Sequence, residues 1–364
     1  MRRSDISDYT SLFLQDTPLL DVRSPVEFAK GAFPTAVNHP LMNDDERRQV
    51  GICYKQTGQA AAIALGHRLV SDSTRQQRLK RWLDFAHNHP QGYLYCFRGG
   101  LRSRTVQNWL RDAGCEYPLV IGGYKAMRHF LLRQFDNPGP LWRLGGQTGT
   151  GKTELLVRLI ADGYPAINLE GLANHKGSAF GRSADDWQPT PVNFENALAI
   201  ALLKQRARCG QAPILVEDEC RAIGRLSQPL AFFSHFRQQP LLVLTAPFSE
   251  RVNRIYREYI TNQSHAYHRL YGPQGALRHR QALLESLDRI RKRLGGVRHH
   301  AIRDTLLQAF ERDSAILHKQ WIGDLLTGYY DPMYAYQLEQ KKDLIVFTGT
   351  AEEIHAFVNQ RHQY

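Results

Sequence analysis

The chain contains 364 residues, of which 42% are hydrophobic and 23% are charged, and a typical size of about 150 residues per domain makes two domains the first expectation. No apolar run approaches the roughly 18 residues that a membrane-spanning helix needs, and no apolar stretch follows the charged N-terminal residues, so we expect a cytoplasmic protein without membrane association. The 47 Lys and Arg residues outnumber the 35 Asp and Glu residues by 12, which indicates a polyanionic partner.

The cysteines are few, odd in number and without the paired spacing of a zinc site or a redox-active pair. They are Cys53, Cys96, Cys115, Cys209 and Cys220. In a reducing compartment we expect thiols rather than disulfides. The histidines also lack metal-binding spacing, so the sequence predicts no metal centre built from His or Cys.

Short apolar segments alternate with helical patterns in the first part of the chain. The segments 18–22 and 92–96 have the length of buried strands, and residues 74–86 and 103–113 have helical periodicity. This alternation favours a parallel sheet covered by helices. A cluster of turn-forming residues at 136–140 marks a boundary, so the first domain is predicted to span residues 1–137.

The second predicted domain, residues 138–364, continues the α/β pattern. Its strand candidates are 141–144, 166–169, 214–217, 241–244 and 343–347, and its helix candidates include 194–208 and 351–360. Residues 251–303 contain twelve Arg or Lys residues against three acidic residues. Because a strand and a helix follow this stretch, we expect a basic helical region at about 251–340 to be inserted in the second domain.

A phosphate-binding motif follows the first strand candidate of the second domain. The sequence Gly146-Gln147-Thr148-Gly149-Thr150-Gly151-Lys152-Thr153 matches G-x-x-x-x-G-K-[ST] without departure, and a helical pattern follows it. Glycines let successive N–H groups converge on phosphate oxygens, and Lys152 can reach a terminal phosphate. Thr153 would bind a Mg²⁺ ion that accompanies the phosphates. A chance glycine-rich turn is the alternative that this context disfavours.

A second acidic motif lies downstream of this loop. The apolar run Ile214-Leu215-Val216 ends in Glu217-Asp218-Glu219, which resembles a Walker B strand whose acids hold Mg²⁺ or act as a base. Acids at the end of a strand are often only solvated or cap a helix, so both interpretations stay open. The ligand need not be ATP, because any pyrophosphate presents similar oxygens.

Cys96 opens a loop between a predicted strand and a predicted helix. The loop reads Cys96-Phe97-Arg98-Gly99-Gly100-Leu101-Arg102-Ser103. Converging N–H groups and the guanidinium groups of Arg98 and Arg102 favour the thiolate over the thiol, so we predict that Cys96, Arg98 and Arg102 are catalytic. A buried cysteine that only fills space is the usual alternative, and it is retained for the other four cysteines.

The first domain resembles the rhodanese family. The stretch Leu20-Asp21-Val22-Arg23-Ser24-Pro25-Val26-Glu27-Phe28, followed by Gly31, Ala36, Asn38 and Pro40, is similar to the D-V-R-x-x-x-E-[FY]-x-x-G signature near the start of that family. Cys96 falls where the family has its persulfide-forming cysteine. The loop departs from the usual C-x4-R, because Cys96 and Arg102 are spaced as C-x5-R. Phosphatases related to rhodaneses have this spacing, which implies that the cysteine meets a phosphorylated donor.

A rhodanese-like domain joined to a P-loop domain, together with the stretch Gly51-Ile52-Cys53-Tyr54-Lys55-Gln56-Thr57-Gly58-Gln59, resembles the tRNA 2-selenouridine synthase family over essentially the whole chain. The resemblance implies a transferase that geranylates 2-thiouridine at the wobble position of tRNA and replaces the sulfur with selenium. The implied co-substrates are geranyl diphosphate, bound by the P-loop, and selenophosphate, received at Cys96. Selenium would then attack C2 of the base, carried as a Cys96 perselenide. The implied partners are this tRNA and an enzyme that produces selenophosphate.

The basic helical region is the predicted tRNA contact. Its arginines and lysines are interleaved with Tyr256, Tyr259, Tyr267 and Tyr271, which suit phosphate contacts and stacking on unpaired bases. The specific candidates are Arg289, Arg291, Lys292 and Arg293. A solvated basic helix face is the alternative. Asn174-His175-Lys176-Gly177-Ser178 is equally compatible with a phosphate contact and with a simple turn.

Two other functions fit the same motifs. In one, the chain is an ATP-dependent tRNA sulfurtransferase or a nucleotide-hydrolysing, kinase-like protein with a rhodanese module. In the other, it is a non-catalytic protein that uses the rhodanese fold for docking. The intact cysteine argues against the second of these.

Overall fold

A computed structural model describes residues 3–182, 184–185 and 187–362. The chain divides into two compact units, Met1–Asn137 with Thr190–Ala207, and Pro138–Pro189 with Arg208–Tyr364. The first break follows Asn137, but Thr190–Ala207, which the sequence placed in the second domain, lies in the first unit. Its helix buries Phe194 and Leu198 there, and Asn196 Nδ2 donates a 2.8 Å hydrogen bond to the Ala32 carbonyl oxygen.

The described residues form ten strands and eighteen α-helices. The strands are β1 Leu19–Asp21, β2 Ala36–Asn38, β3 Tyr93–Tyr95, β4 Leu141–Gly146, β5 Ala166–Ile167, β6 Ile214–Glu217, β7 Ala222–Ile223, β8 Leu226–Ser227, β9 Leu241–Leu244 and β10 Ile345–Gly349. The helices are α1 Tyr9–Leu14, α2 Pro25–Lys30, α3 Asp44–Thr57, α4 Gln59–Leu69, α5 Asp72–Asn88, α6 Leu101–Asp112, α7 Gly123–Leu132, α8 Lys152–Ala161, α9 Leu169–Ala173, α10 Pro191–Cys209, α11 Leu230–Phe236, α12 Phe248–Ile255, α13 Gln263–Tyr271, α14 Gly275–Leu294, α15 Gly296–Glu311, α16 Ala315–Leu325, α17 Asp331–Glu339 and α18 Ala351–His362. Short 3₁₀ turns are Arg133–Phe135, Gly272–Gln274 and Lys342–Leu344, and π-helical segments are Tyr256–Asn262 and Leu326–Tyr330.

The first unit is built on a parallel sheet of three strands in the order β2-β1-β3. β1 is buried throughout, and Leu20, Leu94 and Trp82 are inaccessible to solvent in the core beneath the helices. Strands buried on both faces are typical of a parallel sheet covered by helices, as the sequence predicted. Cys96 directly follows β3, so it lies at the carboxyl end of the sheet, where α/β folds bind ligands.

The second unit contains a parallel sheet of five strands in the order β10-β9-β4-β6-β5. β6 and β9 are fully buried, and all their residues are apolar except Glu217 at the end of β6. Both strands pair with the central strand β4. The loop after β4 therefore emerges between the ends of two neighbouring strands. This order places Gly146–Thr153 beside Glu217 at the carboxyl edge of the sheet.

The basic region of the second unit is helical, as predicted. Helices α12–α17 connect β9 with β10, which are neighbours in the sheet, so the region is an insertion between two paired strands. It has its own core around Leu287, Leu306 and Trp321. The predicted strand 343–347 occurs two residues later, as β10, because a 3₁₀ turn occupies Lys342–Leu344. Across the described residues, no helix is both long and apolar enough to cross a membrane.

Candidate active site

The phosphate loop, Gly146–Thr153, has the backbone geometry that the motif predicts. Gly149 and Gly151 have φ angles of 82° and 91°, and α8 begins at Lys152. A side chain at Gly146 would collide with the carbonyl oxygen of Leu244. The loop thus requires glycine for both conformation and space, and it brings its N–H groups to the N-terminus of α8, where an anion is stabilised.

Lys152 and Thr153 face the interior of this loop. Lys152 Nζ donates hydrogen bonds to the carbonyl oxygens of Gly146 at 3.0 Å and Gln147 at 3.3 Å. Thr153 Oγ1 lies 3.0 Å from Glu217 Oε1 and 3.1 Å from Glu170 Oε2. The ammonium group and the hydroxyl are therefore poised where a diphosphate and its cation would bind.

Three glutamates crowd around Lys152, and their pKa values are raised. Burial, reinforced by the charge of Glu170, raises the pKa of Glu217 to about 7 although Thr153 and Lys152 act in the other direction. Burial and the charge of Glu170 likewise raise the pKa of Glu219 to about 8. Burial also raises the pKa of Glu170, against the opposing effect of Lys152. Such mutually repelling carboxyls favour protonation or a bound cation.

Glu217 and Asp218, two of the three predicted Walker B acids, have different partners. Glu217 faces Thr153, as described above. Asp218 instead pairs with the buried Arg143 at 3.2 Å and with Lys341 at 2.6 Å. Asp218 thus neutralises buried and partly buried cations of the sheet edge, and Glu217 is the acid closest to the phosphate loop hydroxyl.

Sequence reasoning missed three residues that complete this site. Glu170 follows the very short β5 in α9 and carried no motif signal. Arg251 is 3% exposed and donates to the Thr148 carbonyl oxygen and to Gln147 Oε1, each at 2.9 Å. Arg254 Nη1 donates to the Gly149 carbonyl oxygen at 2.7 Å. Both arginines belong to the stretch that was interpreted as RNA-binding, yet they fix the phosphate loop.

Cys96 lies in the cysteine loop, Cys96–Ser103, between β3 and α6. Its side chain is buried, and Sγ lies 3.3 Å from Ser103 Oγ at the start of α6. Gly99 has a φ of 65°, and the backbone of Gly123 packs so closely that a side chain there would collide with the Cys96 carbonyl oxygen. The sulfur therefore sits at the base of a tight loop in front of a helix N-terminus, as the sequence predicted.

The two predicted arginines of the cysteine loop differ in their environment. Arg102 forms two hydrogen bonds with Glu27, of 2.6 and 3.2 Å, and Arg47 lies 3.2 Å from the same carboxyl. Burial alone would raise the pKa of Glu27, but the hydrogen bonds and charge of Arg102 lower it to about 2. Arg98 is exposed. Cys96, Arg98 and Arg102 line one cavity, so the structure brings the three predicted residues together.

The predicted tRNA contacts lie on the second half of α14. Arg289, Arg291, Lys292 and Arg293 are exposed. Arg289, Lys292 and Arg293 share one face, because they are three and four residues apart, and Arg291 does not. Of the interleaved tyrosines, Tyr256 and Tyr259 pack against the core of the helical region, whereas Tyr271 stacks with the Arg278 guanidinium at 4.4 Å.

The described residues contain no group of three or more His, Cys, Asp or Glu side chains arranged to hold an ion. A Mg²⁺ ion at the phosphate loop needs fewer protein ligands, because it usually binds one or two carboxylates together with substrate phosphates and water. Thr153 and Glu217 offer that minimal oxygen set.

Comparison with known proteins gives one consistent family. A family model described as the tRNA 2-selenouridine synthase AAA domain matches residues 140–364. Relatives named tRNA 2-selenouridine synthase include one from Marinobacter nauticus, 48% identical over 99% of this chain and 98% of its own length. Another, from Pseudomonas putida, is 50% identical over the same shares, and one from Azotobacter vinelandii is 49% identical over 98% of both chains.

Proposed function

The chain belongs to the tRNA 2-selenouridine synthase family, and we propose that it converts 2-thiouridine at the wobble position of tRNA into 2-selenouridine through an S-geranylated intermediate. The observation that supports this proposal is the pair of phosphate-directed loops in one chain. One contains a nucleophile, Cys96, and the other contains a lysine that can stabilise a departing diphosphate. Two successive steps with two different phosphorylated donors would use both.

The first proposed step takes place at the phosphate loop of the second unit. The sulfur of 2-thiouridine attacks C1 of geranyl diphosphate, the C1–O bond breaks, and pyrophosphate leaves with the electron pair. Lys152, released from the Gly146 and Gln147 carbonyl oxygens, and the N–H groups of the loop stabilise the negative charge of pyrophosphate. Thr153 and Glu217 would hold Mg²⁺, which supplies further charge neutralisation.

The second proposed step takes place in the first unit, which we interpret as a rhodanese-like domain. The support is the parallel sheet, the position of Cys96 directly after β3, and the C-x5-R spacing of a loop that encloses a phosphate. Arg102, oriented by Glu27, and the exposed Arg98 would bind selenophosphate there.

The electron count of the selenium transfer restricts the role of Cys96. Selenium has the same oxidation level in selenophosphate and in 2-selenouridine, whereas a perselenide needs a two-electron oxidation that neither substrate supplies. We therefore assign the phosphoryl group to Cys96: its thiolate attacks phosphorus, the P–Se bond breaks, and the selenide attacks C2 of the base. The C2–S bond then breaks, geranylthiolate leaves with its electron pair, and water hydrolyses the S-phosphocysteine to phosphate.

The test is reconstitution with 2-thiouridine tRNA, geranyl diphosphate and selenophosphate in all combinations, followed by mass spectrometry of the nucleosides. Geranyl diphosphate alone should give S-geranyl-2-thiouridine, and the two donors together should give 2-selenouridine and orthophosphate. ATP hydrolysis stimulated by tRNA, without either modified nucleoside, would instead support a nucleotide-dependent sulfurtransferase or kinase-like protein and would contradict the proposal.

A further inference from the structure

A cavity of about 1040 Å³ opens beside Cys96 in the first unit. Its walls come from the antiparallel helices α3 and α4, from the cysteine loop and from the first turns of α6. Ligand pockets in proteins have volumes of about 300–1,000 Å³, so this cavity has room for more than a phosphorylated selenium donor. The remaining volume is large enough for another chemical group.

Apolar side chains make up a large part of the cavity lining, and we call them the apolar wall. They include Val50, Ile52, Ala62, Ile63, Leu101 and Trp109. Ile52 is 44% exposed and Leu101 is 53% exposed. Single exposed apolar residues are common on protein surfaces, but several of them around one cavity indicate a binding site for an apolar ligand group. A uracil base and its ribose need polar partners, which this wall does not offer.

The charged side chains that line the same cavity are all cationic. Arg47, Arg48, Lys55, Arg98 and Arg102 line it, whereas no acidic side chain does among the described residues. Arg47 and Arg102 are paired with Glu27, and Arg48 with Asp45. Lys55 and Arg98 make no ion pair within the described part of the chain. The cavity is thus complementary to a ligand that combines an apolar chain with phosphates.

The stretch Gly51–Gln59, to which the phosphate chemistry gives no role, supplies much of this wall. It forms the second half of α3 and the start of α4. Gly51, Ile52, Tyr54, Lys55 and Gln59 line the cavity. The stretch contributes both an apolar and a cationic side chain to the same ligand space.

We propose that this cavity binds the S-geranylated wobble nucleotide, with the isoprenoid chain against the wall of Ile52, Ile63 and Leu101 and a flanking phosphate near Lys55. The inference rests on the proposed function, in which the sulfur that leaves C2 carries the chain. A chain attached to the departing sulfur must lie next to the selenide released at Cys96. When the C2–Se bond has formed and the C2–S bond has broken, geranylthiolate remains in the cavity, takes a proton from solvent and diffuses out.

The test is equilibrium binding of two labelled anticodon stem-loops that differ only in S-geranylation, measured by fluorescence anisotropy without a selenium donor. The full-length protein should bind the geranylated RNA at least tenfold more tightly. Ile52→Asp and Leu101→Asp, both at exposed positions that can tolerate a charge, should each abolish this preference. Val37→Asp, a matched change at a position that is 42% exposed on β2 and outside the cavity, should retain it.

A wild-type protein without the preference, or variants that lose both RNAs equally, would overturn the assignment. If either Ile52→Asp or Leu101→Asp is unfolded, its thermal transition will be lost. The binding preference of the other variant then tests the assignment. Because the binding measurement requires no reaction, its failure can be distinguished from failure of the proposed function, which would show as a reconstitution that yields neither modified nucleoside.

Discussion

The cysteine loop and the phosphate loop have similar backbones but opposite surroundings. Each leaves the carboxyl end of a buried parallel strand, contains glycine with positive φ, and enters a helix. The cysteine loop has Glu27 as its acidic neighbour, and that carboxylate is paired with Arg102 and Arg47. The phosphate loop faces three glutamates with raised pKa values.

This difference separates two ways of handling a phosphorylated donor. In the proposed second step, Arg102 and Arg98 would neutralise the phosphorylated donor, and the Cys96 thiolate would attack it without a metal ion. At Lys152, the surplus of carboxylates repels a bare diphosphate and calls for an accompanying cation. Under the proposed function, the same loop geometry would serve nucleophilic catalysis in one unit and stabilisation of a leaving group in the other.

The largest expected effect comes from removing the nucleophile. Cys96→Ser should lower 2-selenouridine formation by about 10³-fold or more, because the hydroxyl is not ionised near neutral pH. Geranylation should stay at the wild-type rate, so S-geranyl-2-thiouridine accumulates and is measured by mass spectrometry. Cys220→Ser, at an exposed cysteine of the second unit, is the control. Equal loss of both products in a folded protein would contradict the assignment of selenation and geranylation to separate loops.

Lys152→Ala is the reciprocal change. Loss of the ammonium group should slow geranylation by about 10²–10³-fold, since one preorganised charge on the leaving group is removed. Selenation of tRNA that is already geranylated should be unaffected. Both rates can be measured separately with the two tRNA substrates, and Lys342→Ala, at an exposed lysine, is the control. An unchanged geranylation rate would show that Lys152 and the phosphate loop do not take part in the first step.

Glu27→Gln tests the orientation of Arg102. The amide keeps the shape but loses the charged hydrogen bonds, so the KM for selenophosphate should rise about tenfold with little change in kcat. Glu27→Asp should restore part of the affinity. Glu46→Gln is a matched control, because Glu46 is equally exposed (13%) and also pairs with an arginine, Arg78. A change in thermal stability without any change in the KM for selenophosphate would show that Glu27 stabilises the fold but does not orient Arg102 for binding.

Regular patterns let the sequence predict both sheets and both loops. Buried strands such as β6 and β9 are continuous apolar runs, and the phosphate loop is a motif whose glycines are each required by the backbone. Strand β2 carries no such run, because its residues are only partly buried at the sheet edge. The helix pair α3 and α4, which builds the cavity, is amphipathic only weakly and buries few residues.

Contacts distant in sequence explain what the sequence could not give. Arg251 and Arg254 lie about a hundred residues from the phosphate loop, and only the fold shows that they hold its carbonyl oxygens. In the sequence they are part of a basic stretch and are indistinguishable from Lys292. Glu170 was missed for the same reason. Its N–H donates a hydrogen bond to Glu217 Oε2 only because β5 pairs with β6.

The raised carboxyl pKa values predict a pH-dependent stability of the second unit. The unfolded Glu217 releases its proton near the ordinary value of 4.5, whereas the folded one holds it to about 7. Stability is therefore present at low pH and is lost as the pH rises through about 7. At pH 8, Glu217→Gln removes the repulsion between the ionised Glu217 and Glu170, and the thermal midpoint should rise by about 2–4 °C for each kcal/mol of repulsion removed. At pH 5, where Glu217 is protonated in the folded protein, the midpoint should not rise. Calorimetry with Glu352→Gln, at an exposed position, as control measures this.

The smallest expected effect concerns the predicted tRNA-binding surface. A change there should affect geranylation and selenation equally. Lys292→Glu combined with Arg293→Glu reverses two exposed positive charges on one face of α14. Each lost phosphate contact should reduce the slope of log K against log salt by about one, and affinity should fall several-fold at moderate salt. Because both steps use the same tRNA, geranylation and selenation should decline together at low tRNA concentration. Lys80→Glu with Arg81→Glu, an adjacent exposed pair on α5, is the control. An unchanged salt slope would place the RNA contact on another surface, and a decline in one step only would show that the two loops bind tRNA separately.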